Sequence, residues 1–235
     1  MKKTEEMLEN CGGIREDSPI PRKDLTELVF IIDRSGSMQG LEGDTVGGFN
    51  TMIEKQKNVK EECYVSTVLF NDVSVVLHDR VKLSEVPKMK MNDYCPMGCT
   101  ALIDAIGCAI KHIGNVHKYA RPEDRPGNTM FVITTDGLEN ASTIYSSDKV
   151  KKMIEEKKKQ GWEFLFIGAN IDAVETAARY GIGRDRAVNY HSDTEGTHVL
   201  YNAMAETLGE FIECEAVSEN WSKEIMADFC RRKRK

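Results

Sequence analysis

The segment VFIIDRSGSM, Val29 to Met38, joins an apolar run to a polar turn. A short, continuous and β-branched run of this kind predicts a strand buried on both faces, as in a parallel sheet. The run ends at Asp33, and Ser35 and Ser37 follow at alternate positions. Gly36 separates the two serines and would let the backbone turn tightly. The segment therefore predicts one carboxylate and two hydroxyls at the carboxyl end of a buried strand.

A second apolar run ends in the same way. MFVITTD delivers Asp136, and Gly137 follows it. In an open α/β sheet, ligands bind in the crevice beyond the carboxyl ends of the strands, where the strand order reverses. If the two strands are neighbours at that point, Asp33 and Asp136 face one crevice. In GCTALIDAI, Thr100 opens an amphipathic helix, where it could cap the helix and also supply a third hydroxyl.

The rest of the chain alternates between strand and helix patterns. The run WEFLFIGA (162–169) predicts a third buried strand, and AVNY (187–190) a final edge strand. YVSTVLF (64–70) and SVVLH (74–78) are separated only by a short segment with Asn71 and Asp72, which predicts an antiparallel hairpin. Apolar residues at helical spacing lie between most of these runs. The alternation predicts a doubly wound α/β sheet with helices on both faces.

Composition and charge narrow the class of protein. The chain has 235 residues, of which 40% are apolar and 30% charged, as expected for a globular domain. The net charge of −6 argues against a general nucleic-acid binder. No apolar run approaches the roughly 20 residues of a membrane span, and no apolar stretch follows the amino-terminal lysines as in a secretory signal. We therefore expect neither a nucleic-acid nor a membrane partner.

The sequence suggests three regions. Residues 1–24 are predicted to form a flexible polar arm, residues 25–213 one domain, and residues 214–235 an extension with the basic tail CRRKRK. The tail is expected either to be a solvated end or to make an electrostatic contact with an acidic partner. Nothing in the sequence indicates an oligomeric state.

Seven cysteines occur without the spacing of a disulfide framework. Cys63 and Cys108 are predicted to be small buried hydrophobic residues. Cys95 and Cys99 form the one close pair, but a zinc site would need two further ligands and no suitable second pair is present. The cysteines favour a reducing, cytoplasmic location.

The residues at the strand ends favour a particular kind of metal. Carboxylate and hydroxyl oxygens are hard ligands that suit Mg²⁺ or Mn²⁺. The alternative is structural: Asp33 would cap the following helix, and Ser35 and Ser37 would satisfy loop amides. The second aspartate, Asp136, and the hydroxyl of Thr100 favour a metal site over this structural role.

These segments, in this order, resemble the three loops of the metal-ion-dependent adhesion site (MIDAS) of von Willebrand factor A domains. The motifs are DRSGS, GCTALIDAI and TTDGLEN, and the resemblance covers residues 25–213. More narrowly, the chain is similar to stand-alone bacterial cytoplasmic domains of this family associated with tellurite resistance. The resemblance implies a Rossmann-like sheet of six strands, five parallel and one antiparallel at an edge.

The resemblance also implies roles for five residues. Ser35 and Ser37 would bind the metal through their hydroxyls, Asp33 and Asp136 directly or through water, and Thr100 in one conformation of its loop. Cys99 stands beside Thr100, where a small residue such as glycine is usual. This residue is the one departure from the family pattern, and it affects only the geometry expected for the loop.

The implied function is a non-catalytic module that holds a Glu or Asp carboxylate of a protein partner through Mg²⁺ or Mn²⁺, in the assembly or regulation of an intracellular complex. One alternative is a Mg²⁺-dependent phosphohydrolase similar to haloacid dehalogenases. In their D-x-D-x-T motif the second Asp is the acid/base, and here that position is Ser35, a poor proton shuttle. No histidine is expected in the crevice loops. A second alternative is a structural subunit whose metal only staples the loops. No G-x-G-x-x-G motif supports a dinucleotide site.

Overall fold

The computed structural model describes residues 22–233, which contain six strands and six α-helices. The strands are β1 (Arg22–Asp33), β2 (Glu62–Phe70), β3 (Ser74–Lys82), β4 (Pro126–Thr135), β5 (Trp162–Gly168) and β6 (Ala187–Asn189). The helices are α1 (Glu42–Gln56), α2 (Leu102–Tyr119), α3 (Ser147–Lys159), α4 (Ala173–Arg179), α5 (Thr194–Cys214) and α6 (Lys223–Lys233).

The strands form one sheet in the order β3-β2-β1-β4-β5-β6. Strand β3 runs antiparallel to β2, and all other neighbours are parallel. This arrangement confirms the predicted doubly wound sheet with one antiparallel edge strand. The β2–β3 hairpin turns through Asn71, whose Oδ1 accepts from the Val73 amide at 3.2 Å.

Both faces of the sheet are covered. On β1, Phe30 and Ile32 point into one core with α1 and α5, whereas Val29 and Ile31 point into a second core with α2 and α3. The alternation of side chains along a strand places consecutive residues on opposite faces. Because β1 is buried on both sides, its sequence is apolar without alternation, which is the pattern that predicted it.

Helix α1 buries one face, on which Phe49 is fully buried and edge-on to Phe30 at 5.4 Å between ring centroids. On the same helix, Gly48 contacts Tyr201 of α5 so closely that a Cβ there would lie 2.3 Å from the ring. A glycine at this position is therefore required for α1 and α5 to pack together.

The first strand extends beyond the apolar run that predicted it. Strand β1 begins at Arg22, ahead of the predicted domain start at residue 25, and Arg22 pairs with Glu62 of β2 at 2.7 Å. The first 21 residues of the predicted arm lie outside the described part of the chain.

The carboxyl-terminal extension contains a helix that the sequence analysis did not predict. Trp221 and Ile225 are buried at its start, and Trp221 Nε1 donates to the Asp185 carbonyl at 2.8 Å. Arg231 and Arg232 of the predicted basic tail pair with the chain's own carboxylates. The tail as far as residue 233 is thus a docked helix, and Arg234 and Lys235 lie outside the described residues.

Of the two cysteines predicted to be buried, one is buried and one is exposed. Cys63 is buried in β2, as predicted. The prediction for Cys108 is wrong: it is exposed, because it falls off the buried stripe that Ile106, Ala109 and Ile110 form on α2. In residues 22–233, no helix has the length and apolar character needed to cross a membrane.

Candidate metal centre

The two strands that end in aspartate are neighbours. β1 and β4 pair in parallel, with Ile32 opposite Thr134, so their following loops leave the same edge side by side. The chain winds from β1 towards β2 in one direction and from β4 towards β5 in the other, so this is the switch point of the sheet. The condition under which Asp33 and Asp136 face one crevice, that their strands are neighbours, is therefore met.

Asp33 is almost fully buried at the end of β1. Its Oδ1 accepts from the Ser35 amide at 2.7 Å, and its Oδ2 accepts from Thr135 Oγ1 at 2.6 Å. Burial raises the pKa of the Asp33 carboxyl, and the nearby charge of Asp136 adds to that, although the hydrogen bonds from Thr135 and Ser35 oppose it. A divalent cation would relieve both destabilising effects on the ionised form.

The alternative role of Asp33 as a helix cap is not observed. Helix α1 begins at Glu42, far from Asp33 in sequence, and its N-cap residue Leu41 makes no side-chain capping bond. The carboxylate instead closes the local turn through the Ser35 amide. Asp33 thus satisfies one loop amide, that of Ser35, whereas the hydroxyls of Ser35 and Ser37 contact other side chains.

A chain of hydroxyls links the first and third loops. Ser35 Oγ lies 3.0 Å from Ser37 Oγ, and Ser37 Oγ donates to Asp136 Oδ1 at 2.5 Å. Ser192, at the entry to α5, donates to Asp136 Oδ2 at 3.3 Å. The structure therefore brings Ser35, Ser37 and Asp136 into direct contact across 99 residues of sequence.

Thr100 completes the cluster from the second loop. A Cβ built on Gly137 would lie 3.4 Å from Thr100 Oγ1 and 3.6 Å from Ser37 Oγ, so both hydroxyls flank the residue next to Asp136. The Thr100 side chain does not cap α2, whose N-cap is Ala101 without a side-chain bond. The hydroxyl is directed to the cluster, and the predicted capping role is wrong.

The second loop is tied to the first by backbone bonds. The Met97 amide donates to the Arg34 carbonyl at 3.0 Å, and the Gly36 amide donates to the Gly98 carbonyl at 3.1 Å. Gly36 has no left-handed φ, so its role is this close backbone approach as well as the turn.

The β2–β3 hairpin supports the second loop from the other side. The Asp72 carboxylate accepts from the Cys99 amide at 3.1 Å. Gly98 has φ +74°, and a Cβ there would collide with Asp72 Oδ2 at 1.8 Å. Glycine is therefore required beside the cysteine, and Cys99 itself points outward as an exposed free thiol, as does Cys95.

Several supporting residues were missed by the sequence analysis. Glu139 Oε2 accepts from the Ile103 amide at 2.8 Å and so caps α2 from the third loop. Asn140 Oδ1 accepts from the Thr100 amide at 2.8 Å. Asp104 accepts from the amides of three residues of the third loop, namely Thr143, Ile144 and Tyr145. These bonds join segments far apart in the chain, so they leave no local pattern in the sequence. The one signal of them is the polar run after TTDG.

The donor set fits a hard divalent cation. The five predicted residues contribute two carboxylates and three hydroxyls, which suits Mg²⁺ or Mn²⁺. Among the described residues, no three or more His, Cys, Asp or Glu side chains are grouped to hold a metal. Asp33, Ser35, Ser37, Thr100 and Asp136 are the residues that would hold it.

Comparison with solved structures supports the fold. The vWF domain of the type V pili tip protein Mfa5 from Porphyromonas gingivalis matches with a TM-score of 0.58 and 11% identity, over 86% of this chain and 99% of that one. A von Willebrand factor type A protein from Catenulispora acidiphila matches with a TM-score of 0.55 and 13% identity, over 80% of this chain and 43% of that one.

A third match carries a metal in its name. Proximal thread matrix protein 1 of the mussel byssus, with a zinc-occupied MIDAS motif, has a TM-score of 0.56 and 14% identity, over 81% of this chain and 47% of that one. The chain thus spans about half of that protein. Neither a protein-family model nor a curated protein sequence matches the chain. At these identities the matches establish the fold, which is that of von Willebrand factor A domains.

Proposed function

We propose that this protein is a non-catalytic, metal-dependent module that holds a Glu or Asp carboxylate of a protein partner through Mg²⁺ or Mn²⁺. The observation that carries the proposal is the direct contact of Ser37 with Asp136, beside Thr100, at the switch point of the sheet. The names of the structural neighbours, a pilus tip protein and a byssus protein with an occupied MIDAS, are consistent with it.

The chemistry of the ligands explains why a partner carboxylate would bind. Three of the five ligands are neutral hydroxyls, so a bound dication keeps much of its charge and attracts an anionic oxygen. The hydrogen bonds that Thr135 and Ser35 donate hold the Asp33 carboxylate in place. Asp136 is held in turn by Ser37 and Ser192. The site is therefore arranged before a metal binds, which lowers the cost of ordering it.

A hydrolase is the less well supported alternative. The side chains that contact Asp33 and Asp136 in the described residues are hydroxyls, and neither carboxylate bonds to a lysine or histidine. His191 lies next to Ser192, but its ring stacks on Phe229 of α6 at 4.6 Å. A proton shuttle beside the two carboxylates, which hydrolysis would need, is not provided by these contacts.

A location inside the cell, in an assembly or regulatory complex, is part of the proposal. It rests on the sequence pattern of the cysteines, of which six in the described residues are free thiols. The narrower similarity to tellurite-resistance proteins stays a prediction from the motifs.

The test is a titration of Mn²⁺ into the full chain by calorimetry, followed by capture of partners from native extract with and without chelator. Ser37→Ala removes one ligand and the contact with Asp136, so Mn²⁺ affinity should fall by about tenfold or more. Ser222→Ala makes the same change at the start of α6, away from the cluster, and should bind like the wild type.

The outcomes separate the three functions. Partner capture that is lost on chelation and in Ser37→Ala, with the fold retained by circular dichroism, supports the binding module. Metal binding without any metal-dependent partner would instead favour a structural staple. Turnover of a phosphate ester that Ser37→Ala abolishes would establish the hydrolase and overturn the proposal.

A further inference from the structure

A groove of about 550 Å³ opens between the second halves of α2 and α3. The first residues of β4 and β5, including Gly127 and Trp162, form its floor. Parallel strands begin at the edge opposite to where they end, so this groove lies at the far end of the sheet from the metal loops. Its volume is in the range of small-molecule sites in proteins.

The groove is positively charged in an acidic protein. Lys111, Lys118, Arg125 and Lys157 line it against a single carboxylate, that of Glu156. In residues 22–233, no carboxylate lies within ion-pairing distance of these four cations. Several arginines elsewhere pair with carboxylates, for example Arg121, Arg179 and Arg186. Four cations thus face one carboxylate, that of Glu156, so the positive charge of the groove is only partly balanced.

Lys157 is held in the groove by contacts along its side chain. Its Nζ lies 4.6 Å from the centroid of the Trp162 ring and donates to Gln160 Oε1 at 3.0 Å. A Cβ on Gly114 of α2 would lie 3.2 Å from Nζ, so the lysine crosses the helix where a glycine leaves room. Burial lowers the pKa of Lys157, and the nearby charge of Glu156 offsets this only in part. An anion beside it would restore the lost stabilisation.

Two further groups are fixed by neutral or buried partners. Arg125 donates through Nε to the Ala120 carbonyl at 3.0 Å, which holds the guanidinium without neutralising it. His117 Nε2 lies 2.7 Å from Glu27 Oε2. Glu27 is fully buried, and Arg80 Nε donates to its other oxygen at 2.8 Å. These contacts orient groove side chains in advance, as in a binding site and unlike freely moving surface lysines.

We propose that this groove is a second binding site, for a small phosphate-bearing anion, independent of the metal loops. A phosphate group offers more than one negative charge and several acceptor oxygens, which matches a pocket lined by four cations, of which Lys157 and Arg125 are held in place, and by one carboxylate. The size of the groove suits a diphosphate group, either free or as part of a nucleotide.

The test is calorimetric titration of pyrophosphate, and separately of ADP, into the full chain in the presence of chelator. Lys157→Gln should weaken pyrophosphate binding by about tenfold or more, since a charge-assisted hydrogen bond in a partly desolvated site is lost. Lys157→Arg keeps the charge and should retain most of the affinity. Ser37→Ala should bind pyrophosphate like the wild type, because it alters only the other end of the sheet.

Lys159→Gln is the matched control. Lys159 lies in the same last turn of α3 as Lys157, but it is exposed and outside the groove lining. Both lysines interact with the carbonyl groups at the end of the helix, so the control removes the same charge from the same helix end. The affinity of Lys159→Gln for pyrophosphate should differ from that of the wild type by less than about twofold. Tighter binding of ADP would identify a nucleotide as the source of the phosphate, and equal binding the phosphate group alone. Absence of saturable binding to the wild type, or an equal loss in both glutamine variants, would overturn the proposal.

Discussion

Gly98 shows how a single residue controls the second metal loop. Its φ of +74° is one that side-chain-bearing residues rarely adopt, and the space where a Cβ would lie is filled by the Asp72 carboxylate. That carboxylate also accepts from the Cys99 amide, next to Thr100. The backbone conformation at Gly98, the hairpin and the proposed ligand Thr100 are therefore one unit.

Gly98→Ala should lower the free energy of unfolding by more than about 1 kcal/mol, because both strain and the clash oppose the native loop. It should also weaken Mn²⁺ binding, since Thr100 moves with the loop. Urea denaturation and calorimetry measure the two effects. Gly43→Ala is the control: no atom lies within 4 Å of a Cβ there, and in helix α1 the change should be neutral or slightly stabilising. A fully stable Gly98→Ala with normal affinity would contradict this role.

The site residues that could be predicted are those whose position follows from the neighbouring sequence. Asp33, Ser35 and Ser37 follow an apolar run directly, so their position at a strand end is visible in the sequence. Thr135 and Glu139 were missed because their roles depend on partners in other segments. Thr100 lies beside Ser37 and Gly137, but the cap that the sequence also suggested for it is supplied by Glu139 of the third loop.

Helix α6 is the element whose docking bears most directly on the metal loops. Arg232 donates to Asp193 at 2.6 Å and to Asp228 at 2.7 Å, and Asp193 is the N-cap of α5. Ser192, the preceding residue, contacts Asp136. The carboxyl-terminal helix thus supports the segment that touches a proposed ligand.

Arg232→Gln should destabilise the protein by about 2 kcal/mol, because Asp228 is buried and would lose one of its two cationic partners. Arg231→Gln removes a far more exposed guanidinium and should cost less than about 1 kcal/mol. Thermal or urea unfolding of the two variants measures the difference. Equal losses would show that α6 is held by its apolar residues alone.

The effect of Arg232 should depend on pH in a defined direction. Burial alone would raise the pKa of Asp228, but the hydrogen bonds from Arg231 and Arg232 outweigh it and hold the pKa below its ordinary value of 3.8. The stabilisation is therefore fully present above the ordinary pKa and is lost as the pH falls through the lowered one. The stability difference between wild type and Arg232→Gln should be constant near neutral pH and shrink at strongly acidic pH; a difference that grows on acidification would contradict the ion pair.

Elements with strong internal periodicity were predicted well, and those that depend on tertiary contacts were not. The buried strands and α1 carry their signal in the apolar pattern. Helix α6 mixes apolar and charged residues in nearly equal number, and it is held by Trp221, Ile225 and the arginine pairs, which the local sequence does not show. Strand β1 extends outward to Arg22 because pairing with Glu62 supports polar residues there.

On the scale of the whole molecule, the sheet separates two kinds of surface. Its carboxyl-terminal edge gathers the hydroxyl and carboxylate oxygens of the proposed metal site, and its amino-terminal edge has a groove lined by cations. The topology of parallel strands, predicted from the sequence, places the loops together. The groove was not predicted, because it depends on how α2 and α3 pack.

A dication that binds only the folded state should raise the melting temperature. At a free Mg²⁺ concentration of about 100 times Kd the gain is about 2.7 kcal/mol, or roughly 5–10 °C for a chain of this size. The raised pKa of Asp33 means that protons compete with the metal, so the increment should shrink on acidification. Differential scanning calorimetry with and without Mg²⁺ measures it. Asp136→Asn is the control and should show little or no increment.

The most direct measurement of the central claim is the anomalous difference density of a crystal grown in saturating Mn²⁺. The account predicts one strong peak in contact with oxygens from all three loops, among them Ser35, Ser37 and Asp136, at about 2.0–2.3 Å. It also predicts an open coordination position that faces away from the sheet. The absence of a peak at these residues, with Mn²⁺ bound elsewhere or not at all, would contradict the account.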